Sequence, residues 1–216
     1  ATGSGKSTLV NLLPRFYDAS QGEILIDGIN VKEYSQENLH QKIGYVSQKA
    51  ILFSGTIASN VTYGSKTDSS VEQEKEDILQ ALKIAQAEDF VHQLPKQELA
   101  QVAQGGSNFS GGQKQRISIA RAIYKKPEIY VFDDSFSALD YKTDKLLREA
   151  LRKYSQGVTS IIVAQRIGTI KDADHILVLD EGKIVGYGKH QDLLTNCEVY
   201  REIALSQLTQ EELNHE

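Results

Sequence analysis

The residues best suited to chemistry stand at the start of the chain. Residues 1–8 read A-T-G-S-G-K-S-T. Gly5, Lys6 and Ser7 fit the second half of the phosphate-binding pattern G-x-x-x-x-G-K-[ST], whose first Gly would fall one position before Ala1. Gly3 and Gly5 carry no side chain, so backbone N–H groups of the stretch from Thr2 through Ser4 to Thr8 can converge on phosphate oxygens. A helix beginning at Lys6 would turn its positive end toward the same phosphates. Lys6 offers a point charge to the terminal phosphates of a bound nucleotide, and the Ser7 hydroxyl is placed to hold Mg²⁺. A glycine- and serine-rich turn that only caps a helix has the same composition, so the rest of the chain has to decide.

Two further clusters bear on that decision. Residues 128–132 read E-I-Y-V-F, an apolar run that ends in Asp133 and Asp134. A carboxylate at the end of a buried strand is held rigidly, and Asp133 there can hold the Mg²⁺ that bridges nucleotide phosphates. An Asp pair after a strand can equally be a helix N-cap, but the upstream loop favours the metal. Residues 108–116 read N-F-S-G-G-Q-K-Q-R, so Ser110, Gly111 and Gly112 open a helix and make a second anion-binding N-terminus. One nucleotide does not need two such sites from one chain. Two chains sandwiching it do.

The elements that must position these groups follow from pattern. Helices are expected over residues 6–13, stopped by Pro14, over 71–91, and over 110–124, stopped by Pro127. Strands are expected over 23–26, 43–47 and 128–132, and over 159–164. A hairpin is expected around Glu181 and Gly182. Residues 97–108, polar and glycine-containing, read as an exposed loop. Apolar strands alternating with helices predict an α/β fold, a mostly parallel sheet covered on both faces. Ligands bind beyond the carboxyl ends of such strands, where Gln48, Asp133 with Asp134, and Gln165 fall.

Composition narrows the function classes. The 216 residues suffice for one substantial core, and 40% hydrophobic with 25% charged residues is ordinary for a globular protein. A net charge of −5 argues against a nucleic-acid partner. Cys197 is the only cysteine, which leaves no intrachain disulfide and suits a reducing compartment. His40, His92, His175, His190 and His215 show no metal-ligand spacing and read as structural or solvated. No apolar run approaches the roughly 18 residues that span a bilayer, and no signal peptide is evident. A chain that begins inside a motif and without Met reads as a fragment.

With these motifs in order, the whole chain resembles the ATP-binding-cassette family. Ser110 to Gln113, S-G-G-Q, resembles that family's signature motif, with Phe109 where Leu is usual. Gln48 is similar to its Q-loop glutamine, which contacts Mg²⁺ and senses a transmembrane partner. Ser137, Ala138, Leu139 and Asp140, S-A-L-D, resemble the D-loop that crosses to a partner domain. The run K-A-I-L-F-S-G-T-I-A-S-N-V-T-Y-G after Gln48, and G-K-H-Q-D-L-L at residues 188–194, resemble exporters whose ATP-binding domain follows a membrane domain. The resemblance implies a P-loop NTPase (RecA-like) core, about residues 1–48 and 125–205, a helical subdomain at about 49–124, and a polar tail at about 206–216. It also implies ATP and Mg²⁺ as cofactors, a second ATP-binding domain and a transmembrane domain as partners, and a place on the cytoplasmic face of the cell membrane. A non-transport ATPase of the family, or an ATP clamp without useful turnover, is the alternative.

Three positions depart from the family pattern. Asp134 stands where a Glu base is usual, Gln165 where a switch His is usual, and Gln104 where exporters usually carry Glu. Asp is shorter than Glu by one C–C bond, about 1.5 Å, and a base must lie within hydrogen-bond reach of its water. Gln can donate a hydrogen bond but carries no charge. An intact signature with two weakened catalytic positions resembles one half of a heterodimeric exporter, which implies a chain that binds ATP at its own loop, hydrolyses it slowly, and completes a competent site on a different partner; tolerated variation in a working homodimer is the alternative.

Overall fold

A computed structural model describes residues 3–65 and 69–207; Thr2, His215 and the expected tail beyond residue 207 lie outside them. The chain runs α1 (Lys6–Asn11), β1 (Leu25–Ile26), β2 (Ile29–Asn30), α2 (Gln36–Lys42), β3 (Ile43–Val46), β4 (Gly55–Thr56), α3 (Ile57–Val61), α4 (Val71–Ile84) and α5 (Glu88–His92). It continues with β5 (Gln101–Val102), α6 (Gly111–Tyr124), β6 (Ile129–Asp133), α7 (Tyr141–Tyr154), β7 (Thr159–Val163), α8 (Ile167–Ile170), β8 (Ile176–Asp180), β9 (Lys183–Gly188), α9 (His190–Asn196) and α10 (Glu198–Gln207).

The central sheet is the expected parallel one, ordered β3-β6-β7. Its register sets Val46 opposite Phe132 and Asp133 opposite Val163. Strand alternation sends neighbouring side chains to opposite faces, and both faces are covered. Tyr130 and Phe132 enter a core with Leu52, Ile57, Leu82, Ile117 and Leu147. Val131 and Val163 enter another with Val10, Leu39 and Ile43. A third core joins β8 to α8, α9 and α10 through Ile167, Val178, Leu193 and Tyr200. The remaining described strands form antiparallel pairs, β1-β2, β4-β5 and β8-β9, the last being the expected hairpin.

Several local expectations need correction. The helix expected over 71–91 is two helices, α4 and α5, parted at Gln86, whose φ of 56° is left-handed. Ala85 and Ala87 are fully buried on either side of the break, and the Gln86 carbonyl accepts Arg116 Nη1 at 2.6 Å. Tertiary contacts thus replace the Gly or Pro that would have announced a stop. The expected loop over 97–108 is also more ordered than its composition suggests. It contains β5, which pairs with β4, and two 3₁₀ turns, and it buries Glu98 and Val102. The Asn108 side chain holds its ends, accepting from Ala103 N at 3.0 Å and donating to Gln101 O at 2.8 Å. The first helix ends at Asn11 rather than Leu13, and helix α10 runs to Gln207.

Helix α6 matches its expected span. Ser110 caps it, accepting from Gln113 N at 3.2 Å, while Gln113 Oε1 accepts from Ser110 N at 2.9 Å. This reciprocal capping box is worth about 1 kcal/mol. Ile117, Ile119 and Ile123 are buried, and each such side chain contributes roughly 1.5–3 kcal/mol on leaving water. The helix is therefore a firmly seated rod. Cys197 is a packing residue of the third core. Three of the described histidines pack or stack: His190 pairs with Tyr200 at 2.7 Å, His40 approaches Pro14 O at 3.0 Å, and His175 stacks on Tyr187, while His92 is exposed.

Candidate functional site

The loop between Gly3 and Thr8 and the carboxyl ends of β3, β6 and β7 enclose a cleft of about 290 Å³. Gly3 and Gly5 hold φ of 85° and 90°, left-handed values that suit glycine, although a Cβ at either would meet nothing within 4 Å. Backbone conformation, not crowding, is what requires glycine there. Gly5 is the N-cap of α1 and no side chain caps that end. Lys6 Nζ donates to Ser4 Oγ at 2.8 Å, which draws the ammonium over the loop.

Ser7 and Asp133 are brought together. The Ser7 hydroxyl donates to Asp133 Oδ1 at 2.9 Å. Asp133 is buried as the last residue of β6. The Tyr45 hydroxyl lies 3.1 Å from Asp133 Oδ2 and 2.6 Å from Asn11 Oδ1. Burial, and then the neighbouring Asp133 charge, pushes the Tyr45 phenol well above its ordinary value. Tyr45 therefore stays neutral beside the carboxylate. Its place in β3, two residues on from Ile43 on the same strand face, was the available sequence signal, but nothing local marks it as a site residue.

Asp134, Gln48 and Gln165 also converge. Gln48 Nε2 donates to Asp134 Oδ2 at 2.9 Å, and Gln165 Nε2 donates to the same oxygen at 3.0 Å. Asp134 is buried and has a left-handed φ of 48°. That conformation costs an ordinary residue roughly 1–2 kcal/mol, and Asp is among the residues that tolerate it. Asp134 does not cap a helix. Its carbonyl accepts from Ser137 Oγ at 2.7 Å, and its N–H donates to Val163 O at 3.0 Å.

The stretch from Ser110 to Gln113 does not line this cleft. It abuts the segment from Ser137 to Asp140 instead: a Cβ at Gly112 would lie 3.4 Å from Ala138 O and 3.9 Å from a Leu139 methyl. Ser137 and Ala138 are exposed, and Leu139 is buried. Asp140 caps α7, accepting from Thr143 N at 3.0 Å and Thr143 Oγ1 at 2.7 Å, and these bonds hold its carboxyl below the ordinary value. Phe109 takes a core position, edge-on to Phe90 at 6.2 Å, which gives the aromatic in place of Leu a packing role. Gln104, itself exposed, opens a 3₁₀ turn whose Gly106 is buried, and it does not line the cleft.

Helix α6 also carries contacts that sequence reasoning missed. Gln115 is buried, and its Nε2 donates to Ser47 O at 3.1 Å, one residue before Gln48. Arg121 donates to Asn60 O at 2.7 Å and Ile51 O at 3.1 Å, with its guanidinium 5.5 Å and 5.6 Å from the ring centres of Phe53 and Tyr63. Those two rings stack on each other at 4.3 Å and are exposed.

Comparison with known proteins decides the family. The family profile described as ABC transporter matches residues 1–137. The chain belongs to the ABC transporter family. Its fold is the P-loop NTPase fold of that family's ATP-binding domain. An uncharacterized ABC transporter ATP-binding protein of Mycobacterium tuberculosis (strain ATCC 25618 / H37Rv) is 50% identical over 207 residues, covering 96% of this chain and 35% of that protein. An ATP-dependent lipid A-core flippase of Saccharophagus degradans is 44% identical over 209 residues, covering 97% of this chain and 35% of that protein. The solved structure of a bacterial Atm1-family ABC exporter with ATP bound superposes with a TM-score of 0.91 at 38% identity, covering 97% of this chain and 36% of the other. The ABC chain described here thus spans about a third of the length of these relatives.

Proposed function

We propose that this ABC domain is the motor of an exporter, pairing with a second ATP-binding domain around ATP to drive a membrane domain. One observation carries the pairing. Ser110, Gly111 and Gly112 form a capped helix N-terminus that lies outside the chain's own phosphate cleft. A helix N-terminus is a ready-made anion site, and on this reading the anion it meets is the nucleotide of another chain. The exporter setting is supported by the flippase and exporter relatives. No helix among the described residues is long and apolar enough to cross a membrane, so the membrane helices would come from outside this stretch. The exposed Phe53 and Tyr63 stack beside Ile51 is the surface we assign to the membrane domain, with the exposed Gln104 as a further contact. The motor would work at the cytoplasmic face of the cell membrane. Residues 49–124 would act as the helical subdomain, and residues 1–48 with 125–205 as the core.

In ATP binding, the Gly3–Thr8 loop would cradle the phosphates, Lys6 would neutralise the terminal ones, and α1 would turn its open N-terminus to them. The Ser7 hydroxyl, the Asp133 carboxylate and the Gln48 amide oxygen are hard oxygen donors that fit Mg²⁺. That ion, when bound, would neutralise charge on the phosphates. Asp134 would orient the attacking water and Gln165 would hydrogen-bond the terminal phosphate. Both do so weakly on this reading. Asp134 is short, and its Oδ2 is committed to two amide donors. Gln165 supplies a donor without positive charge. The partner is therefore a different chain, with a full-length base of its own, whose nucleotide the Ser110–Gln113 segment completes.

The test is ATP-dependent association followed by sedimentation, with ATP binding measured in parallel. Ser110→Arg is expected to keep ATP binding at the chain's own loop and to lose association. Association that survives Ser110→Arg would overturn the pairing.

A further inference from the structure

We propose that Gln207, at the end of the C-terminal helix α10, is a positioning residue for Gln165. This rests on the reading that Gln165 faces the terminal phosphate. The contact is a paired one. Gln207 Nε2 donates to the Gln165 carbonyl at 2.8 Å, and Gln207 Oε1 accepts from the Ile167 N–H at 2.9 Å. One side-chain amide thus grips the backbone on both sides of Arg166, as a neighbouring strand would.

Three observations give this grip consequence. First, Ile167 begins α8, whose N-cap residue Arg166 supplies no side-chain cap. Gln207 meets one of the orphan N–H groups of that helix start. Second, Gln165 is otherwise exposed, and its side chain reaches Asp134 Oδ2 at 3.0 Å. The amide at Gln207 is therefore followed by a second amide aimed at the carboxylate. Third, the other end of the lever is anchored. Tyr200 and Ala204 of α10 are fully buried in the core that also holds Ile167. Gln207 stands three residues beyond Ala204, on the same helix face. Asp134, Ser137, Gln165, Arg166, Thr169 and Gln207 line one cavity of about 290 Å³. The end of α10 thus reaches into the space between the catalytic cluster and the segment that meets the partner.

Gln207 touches no substrate on this account. It acts through the backbone of Gln165 and Ile167, and a movement of α10 is transmitted to the Gln165 amide. A hydrogen bond of this kind biases a local equilibrium by roughly fivefold, so removing the pair should let Gln165 leave Asp134 for a substantial fraction of the time.

The experiment uses the full chain without nucleotide, then with it. The side-chain amide resonances of Gln165, identified by their loss in Gln165→Ala, are compared in the parent, Gln207→Ala and Gln207→Glu. Gln207→Ala is expected to move the Gln165 side-chain signals toward those of a solvated glutamine and to speed hydrogen exchange at Ile167 N–H about fivefold or more. Gln207→Glu keeps the oxygen that meets Ile167 and loses the donor to Gln165, so it should move the Gln165 signals while leaving the Ile167 exchange close to the parent. With ATP, both variants should keep ATP affinity and change turnover. Unmoved Gln165 signals in a folded Gln207→Ala protein would overturn the proposal. Moved signals with unchanged turnover would uphold the positioning and instead overturn the role of Gln165 at the phosphate.

Discussion

Lengthening the Asp134 side chain separates a weak catalytic site from an adequate one. Asp134→Glu advances the carboxylate by one C–C bond, about 1.5 Å. Its two amide contacts stand at 2.9 Å and 3.0 Å, and hydrogen bonding fails beyond about 3.5 Å. An advance of 1.5 Å exceeds that slack of roughly half an ångström, so the longer side chain cannot keep both donors where they are. The carboxylate is released into the cleft lined by the Gly3–Thr8 loop. Two effects of opposite sign follow. Gln165 is exposed, so its lost bond is replaced by water at little cost, while the loss at Gln48 costs about 1 kcal/mol. The melting temperature should fall by about 2–4 °C. Turnover should rise, because a misplacement of ~1 Å costs on the order of 100-fold, and a well-placed base contributes 10²–10⁴-fold in typical enzymes. Adding Gln165→His supplies a donor that can carry charge and should raise the rate further. The assay is phosphate release at saturating ATP and Mg²⁺, at a concentration where the chain associates, after ATP binding has been matched between proteins. A parent that already hydrolyses ATP as fast as Asp134→Glu would refute the reasoning, and the case for a different partner chain would lose its support. A variant that is both less stable and faster is the outcome expected if the two amide bonds stabilise Asp134 in a position set back from the reacting centre.

Other perturbations probe the frame around that site. Gly44→Ala places a Cβ 2.7 Å from Pro127 Cγ and 3.3 Å from Tyr130 Cδ1; thermal melting should show a loss of about 1–3 kcal/mol from overpacking. Gln115→Leu keeps the volume but leaves the Ser47 carbonyl without its buried donor, and denaturant unfolding should show a loss of about 1–3 kcal/mol. Burial raises the Tyr45, Tyr130 and Tyr154 phenols above their ordinary value. In the unfolded chain these groups lose their protons near pH 10 while the folded chain retains them. Folding stability is therefore unaffected by them below that pH and falls as pH rises through the window above it, by up to about one proton's worth of slope per tyrosine. Denaturant midpoints measured from pH 8 to 11 should show this decline, and Tyr45→Phe should make it shallower.

What could be read from the sequence was what short contiguous stretches determine. The Gly3–Thr8 loop, the Ser110 cap of α6 and the buried run of β6 each depend on neighbours within a few residues, so type and spacing were enough. The parallel sheet followed because β3, β6 and β7 are apolar runs that no solvated face would carry. The misses have a common physical cause. Strands β4 and β5 are two residues long, too short to display a period of two. The break at Gln86 has no Gly or Pro, because a carbonyl contact from Arg116, 30 residues away, stabilises it. Tyr45, Gln115 and Gln207 act through side-chain contacts to residues that are distant in sequence, and such contacts leave no periodicity. The crowding of Asp134 by two amides belongs to the same class. Each residue was identifiable singly, but their convergence on one oxygen depends on the ends of three strands meeting.

The two donors on Asp134 are held by very different means, and this says which half of the site can move. Gln48 follows Ser47, whose carbonyl is gripped by buried Gln115. Ser135, also buried, donates to Val46 O at 2.7 Å. Gln48 and Asp134 are thus joined by their side chains and again by backbone contacts one or two residues to either side, across strands already in register at Val46 and Phe132. Moving the backbone at Gln48 away from Asp134 would disturb the Gln115–Ser47 and Ser135–Val46 hydrogen bonds as well. Gln165 has no such brace. It is exposed beyond the end of β7, and its backbone is held by a single exposed side chain at the end of a helix. Releasing it breaks two hydrogen bonds that water can replace. The rigid side of the cluster therefore faces helix α6, and the adjustable side faces α10. A conformational signal that frees the Asp134 carboxylate has its lowest-cost route through Gln165.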